Sequence, residues 1–235
     1  MKILLWLLIF LISSQVLNFM IPSMALAKAK TATVDSTPLD ILAMPEDARL
    51  VIAMSKKNEL AQPLREIAFS EKYKMADRWK ALTLLTHIDR EKAFPLLEKA
   101  LVSKEWYMRN AGLVGIEHLN PLEAKKAARK LLKDKALVVR SAAIQVLAKD
   151  FVTSDRGLLW EQLYDKKNFR KGQSLWIRSQ VLAVLALEPG SLELPLFLQY
   201  VNEKDQSVQT ASVVALERIT KKKMSVDAWQ KFAVE

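Results

Sequence analysis

The chain has no cysteine, and only five glycines and two histidines among 235 residues. Without cysteine there are no disulfides, no thiolate metal sites and no thiol nucleophile, while the redox compartment stays open because a protein that needs no staple can live in either. The glycines are dispersed at Gly112, Gly115, Gly157, Gly172 and Gly190, so no glycine-rich phosphate loop exists. GxSxG and HExxH are missing too, and no pair of acids has a spacing that singles it out. The residues therefore predict no catalytic group and no cofactor, and an enzyme is not the expected class. Acidic side chains are also short, 26 against 36 Lys and Arg, and the net charge of +10 points to acidic partners or an anionic surface.

What the chain does have is apolar content, 51% of its residues, enough for a sizeable core. Part of it is concentrated at the start. Lys2 precedes an apolar run from Ile3 to Ile21, then Pro22 and the small-x-small triplet Ala25-Leu26-Ala27. This pattern predicts a signal peptide over 1–27 and export, most simply to a bacterial periplasm. The alternative is an uncleaved anchor, since about 20 apolar residues span a bilayer. Residues 28–44, which open "KAKTATVDSTP", read as a flexible tether, and 45–235 as the folded domain.

An arginine poses the main structural question. Arg140 in "VVRSAAIQVL" occupies the first turn of a predicted helix, against the positive end of the helix dipole, at a cost of roughly 0.3–1 kcal/mol unless acceptors answer it. Similar contexts recur at Arg78, Arg109 and Arg178, and with Gln209 in the same slot, at steps of 31, 31, 38 and 31 residues. Three residues beyond lie Ala81, Gly112, Ala143, Val181 and Ser212; seven beyond lie Leu85, Ile116, Leu147, Leu185 and Leu216. Small residues beside large aliphatics are what close helix packing requires. A second helix follows each slot, marked at nineteen residues by Leu97, Ala128, Leu159, Phe197 and Ala228. Turn residues separate the two helices, with Ser191 as one candidate cap. Upstream, "MPEDARLVIAMSKKN" and "ELAQPLREIAFSEKY" read as one degenerate terminal hairpin.

The stretch "LLKDKALVVRSAAIQVLAKD", with Asp134 six residues before Arg140, resembles a HEAT repeat, particularly the short type similar to phycobilisome-lyase repeats. The resemblance covers roughly Pro45 to Glu235 and implies an all-α fold, an α-solenoid of about five to six hairpins. It also implies a ladder in which Asp and Arg of successive units bond along the stack, so that Arg78, Arg109, Asp134, Arg140 and Arg178 form the repeat framework. The slot of Asp134 is held elsewhere by Lys72, Ser103, Gly172 and Glu203, which predicts a broken ladder, with the other arginines capping carbonyls of the preceding helix.

Candidate binding residues follow from charge. From Pro121 to Leu175 there are 13 Lys or Arg against 6 Asp or Glu. Lys125, Lys126, Arg129, Lys130 and Lys133 share one second helix, which the resemblance places on a concave face. The longer step inserts about seven residues near "DKKNFRKGQS", putting Lys166, Lys167, Phe169, Arg170 and Lys171 on an extra loop, and insertions in repeat arrays often bind. Leu198 or Tyr200 is a candidate for exposure on an over-apolar helix, the favoured alternative being that the terminal helices around Trp229 and Phe232 cover it, while Trp79, Trp106, Trp160 and Trp176 are expected in interhelix packing. His87 and His118 fall in equivalent, mostly basic slots at helix ends, as the dipole favours, so metal binding is not expected. Nucleic acid is not expected either, given the leader. The expected function is an exported adaptor or scaffold for an acidic or extended protein. The alternatives are a ligand-handling or chaperone-like protein similar to bilin-lyase subunits, and peripheral binding to anionic envelope surfaces.

Overall fold

The computed structural model describes residues 36–233, so the leader at 1–27 and most of the tether lie outside the described residues. The described chain is all-α apart from one two-residue hairpin. It forms two compact units, one ending at Asp89 and the other beginning at Arg90, where the sequence suggested a single domain. Among the described residues no helix is long and apolar enough to cross a membrane.

The first unit contains α1 (Pro38–Ala43), α2 (Glu46–Ser55), α3 (Lys57–Phe69) and α4 (Met75–Asp89). Helix α1 corrects the tether, whose end was placed at residue 44. Thr37 and Asp40 form a capping box around Pro38, and Ile41 and Leu42 are buried. Contacts of α1 with α2, α3 and α4 enclose these side chains. Arg78 is buried and its Nε donates to the Ala68 carbonyl, 3.2 Å away at the end of α3, as a capping role predicts.

The second unit holds two kinds of helix. One set is α6 (Trp106–Leu119), α8 (Leu137–Lys149), α10 (Ile177–Leu185) and α12 (Gln206–Thr220), each contacting the next. The other set is α5 (Phe94–Leu101), α7 (Pro121–Leu131), α9 (Arg156–Tyr164) and α11 (Leu194–Tyr200), and each packs on the following member of the first set. A last helix, α13 (Val226–Phe232), closes against α12. The repeat columns are the core: Ile116, Leu147, Leu185, Leu216, Leu97, Ala128, Leu159 and Phe197 are all buried. In α13 the register slips by one residue, burying Trp229 rather than Ala228. Ser191 does not cap α11; it sits in a 3-10 turn where the Glu193 carboxylate accepts from the Gly190 N–H at 2.9 Å. Gly112 lets α6 approach α5, since a Cβ there would lie 2.8 Å from the Leu97 carbonyl oxygen.

Arginines lock the N-terminal ends of the first set together. Arg109 donates to the Ser103 and Lys104 carbonyls behind it and, through Nε and Nη2, to both carboxylate oxygens of Asp134 ahead of it at 2.6 and 2.7 Å. Arg140 repeats the pattern. Its Nη1 donates to the Asp134 and Lys135 carbonyls, its Nε to Asn168 Oδ1 at 2.9 Å, and its Nη2 to the Lys167 carbonyl. Arg178 donates to the Leu163 carbonyl and to Glu203 at 2.8 Å, and Gln209 donates to the Glu203 carbonyl. Within the second unit the expected break in the ladder is therefore corrected. Glu203 fills its slot, and Asn168, from the insertion, does the work that Gly172 cannot.

Arg140 is 1% exposed and meets only neutral oxygens directly. Burial pulls its pKa below the ordinary guanidinium value, against the charges of Asp165 and Asp134. Burial pushes the Asp134 carboxyl up, but Arg109, the Ala136 N–H and Arg140 outweigh it and hold the group below the usual aspartate value.

Two outcomes are expected. Asp134→Ala should lower the unfolding free energy by about 3 kcal/mol in urea at neutral pH, because Arg109 loses its buried counter-charge. Since the folded-state pKa is depressed, that contribution is whole above the unfolded value of about 3.9 and is lost as pH falls through the folded value, so the gap between wild type and variant must shrink below about pH 4. Gly112→Ala should cost about 1–3 kcal/mol, because backbone rather than a flexible side chain blocks the new methyl; an unchanged melting curve would rule out the close contact.

Candidate functional site: the basic surface of the second unit

Helix α7 is capped by Asn120, whose side chain accepts from the Glu123 N–H, and begins with Pro121. Its cations fall into two groups. Lys125 is buried, its Nζ donating to the Asp150 carboxylate at 2.7 Å and, more closely, to the Asp150 carbonyl. Arg129 is bound through Nε to Asp155, itself 1% exposed, at 2.6 Å. These two were expected on the binding surface; they are struts between α7 and the segment after α8. Arg129 meets a buried carboxylate, whereas Lys125 is itself buried and reaches out to the exposed Asp150.

Lys126, Lys130 and Lys133 are exposed, Lys126 sharing an ion pair with Glu123 on its own helix. Lys126 and Lys130 border a cleft of about 400 Å³ between α5 and α7, with Leu101, Val102, Ile116 and Leu131 among its apolar lining and Glu98 and Glu123 also on it. Val102 is 83% exposed.

The insertion is more ordered than a loop. A 3-10 turn, Lys166–Asn168, leads into strands β1 (Phe169–Arg170) and β2 (Gln173–Ser174), antiparallel, with Phe169 opposite Ser174. Lys171 and Gly172 both have positive φ at the tip, as a tight two-residue turn requires. Asn168 is fully buried, donating to the Gln162 carbonyl as well as accepting from Arg140. Phe169, expected as a partner contact, lies half-buried with the Arg178 guanidinium 4.4 Å from its ring centroid. Lys166, Lys167, Arg170 and Lys171 are exposed. Lys167 Nζ reaches the Lys133 carbonyl at 3.1 Å, which brings the insertion and the end of α7 together. A second cleft, about 690 Å³ and polar, lies between this hairpin and the α11–α12 turn, lined by Gln173, Gln199, Asn202 and Asp205 among others.

The apolar candidates divide, some packed as expected and some not. Tyr200 is buried beside Trp160, with ring centroids 6.2 Å apart, and Leu198 is half-buried. Trp160 is a packing residue, 5.1 Å from the Phe197 ring and donating to Glu193. Trp106 and Trp176, however, are 41% and 51% exposed, and Trp79 in the first unit is exposed as well. The signal for this was present: each of the two lies two or three residues before a laddered arginine, outside the buried columns. Among the described residues no group of three or more His, Asp and Glu is placed to hold a metal ion. His118 lies at the exposed end of α6.

No protein-family model matches this chain, and no curated protein matches it either.

The division of the lysines is testable. Lys125→Ala should lower the unfolding free energy by about 1 kcal/mol, through the loss of its buried stem and its bonds to Asp150, whose own carboxylate is 80% exposed and stays solvated. Lys126→Ala should change it by no more than about 0.5 kcal/mol in the same chemical melts.

Proposed function

We propose that the protein is an exported adaptor of the HEAT-repeat type, an α-solenoid that holds an acidic, extended segment of a protein partner. The observation that carries this reading is the α5–α7 cleft, apolar along Leu101, Val102 and Leu131 and bordered by the exposed Lys126 and Lys130. An amphipathic segment with acidic flanks suits such a surface, its apolar anchors in the cleft and its charges toward the lysines. Exposed Lys133 and Lys167 continue the positive edge beyond it. Supporting the repeat assignment are the buried columns and the arginine ladder of the second unit. Export rests on the N-terminal pattern of Lys2, the apolar run and Ala25-Leu26-Ala27.

A photo-reactive residue at Val102 in the full chain, irradiated in envelope extract, is expected to trap one protein in a fixed ratio. The same probe with Lys126→Glu and Lys130→Glu should lose that product while the melting temperature stays unchanged. Repeated failure to trap a stoichiometric product, or undiminished trapping by the charge-reversed chain, overturns the reading.

A further inference from the structure

The ladder brings the N-terminal ends of α6, α8 and α10 to one edge, and the residues there are unusual. Trp106, Val138 and Trp176 are each two or three residues before a ladder arginine and are 41%, 46% and 51% exposed. Neighbouring helices that pack in this way lie about 8–10 Å apart. At that spacing, exposed side chains at the same end of three successive helices span about 20 Å. Exposed cations precede the same helices in the chain: Lys104 before α6, Lys135 before α8, and Arg170 and Lys171 at the hairpin before α10.

Acids also occur at this edge, and most are tied to partners in the chain. Asp134 is spent on Arg109 and the Ala136 N–H, and Glu203 on Arg178. Asp165 accepts from the Lys167 N–H, and Asp205 caps α12. Glu105 is half-buried. Behind the row, residues 106–116, 137–148 and 176–187 contain no charged side chain except the buried Arg109, Arg140 and Arg178. The helix faces behind the row therefore add no exposed charge, and the acids left beside the cations are the half-buried Glu105, Asp165 and Asp205.

We propose that this edge is a peripheral binding surface for an anionic lipid bilayer, with Trp106, Val138 and Trp176 seated at the interface and Lys104, Lys135, Arg170 and Lys171 facing lipid phosphates. Tryptophan is suited to that boundary, having an apolar body and one N–H donor, and cations beside it add an attraction that salt screens. The two clefts described above are lined by other residues, so the row is separate from the proposed partner site. A line of aromatic and aliphatic tips accompanied by cations matches a planar anionic layer better than one narrow polypeptide.

The lack of native cysteine allows a clean test in the full chain. Single variants Trp106→Cys, Trp176→Cys and Leu192→Cys are each labelled with a polarity-sensitive fluorophore; Leu192, 93% exposed, is the reference site away from the row. The variants are mixed with vesicles of phosphatidylcholine alone, or equimolar with phosphatidylglycerol, and separately with polyglutamate. The expected result is blue-shifted, stronger emission at positions 106 and 176 with the phosphatidylglycerol vesicles, reversed by salt, and no change at 192. Adding Lys135→Glu and Lys171→Glu should weaken that response by about tenfold or more. A response at 192 equal to the other two would mean that the N-terminal apolar run alone tethers the chain, and would overturn the proposal. So would silence at 106 and 176, or a response there to polyglutamate and not to lipid. None of these outcomes touches trapping at Val102, so the two proposals fail independently.

Discussion

A buried guanidinium is costly unless most of its N–H groups find acceptors, and in the second unit this demand organises one end of the helices, with only Nη1 of Arg178 left unpartnered among the nitrogens of Arg109, Arg140 and Arg178. Arg109, Arg140 and Arg178 are 6%, 1% and 3% exposed, and each turns backward to carbonyls and forward to a side chain on the approach to a later helix. Helix packing alone permits sliding, because aliphatic contacts are nearly indifferent to small shifts along an axis. The directional bonds of the arginines remove that freedom. They also decide the surface, since carboxylates drawn inward by the ladder leave their lysine neighbours unbalanced toward solvent.

Repetition made much of this legible. A 31-residue step with small and large apolar columns is enough to locate α4, α6, α8, α10 and α12 and to name their buried faces, because burial in one unit imposes the same choice of residue in the next. The ladder was half legible. Glu203 stands at the same offset as Asp134, but Asn168 does not; it reaches Arg140 from an insertion, and only the fold of β1 and β2 sets it there. Helix α1 carries its capping signature in Thr37, Pro38 and Asp40, but six residues outside the repeat columns are too few to show a helical period.

The candidate site was less legible, for a physical reason. Lys125 and Lys126 are adjacent and chemically identical, yet one is a buried strut and the other is solvated. Helical phase separates them by about 100°, and which phase meets an acceptor depends on Asp150, 25 residues away. Phe169 likewise reads as an exposed aromatic among cations until Arg178 is seen beneath it. Exposed Trp106 and Trp176 show the reverse error, since size and hydrophobicity argue for burial while position at a helix end does not.

The insertion divides at Asn168. Its base is bolted to Arg140 and Gln162, whereas Arg170 to Gln173 stand clear in a tight turn. Chemistry at that turn is thereby uncoupled from the frame, so descendants of this chain could rewrite Arg170 and Gln173, and at the tip any pair that tolerates positive φ, and keep the scaffold intact. The same spot is a natural graft point for a foreign epitope or tag.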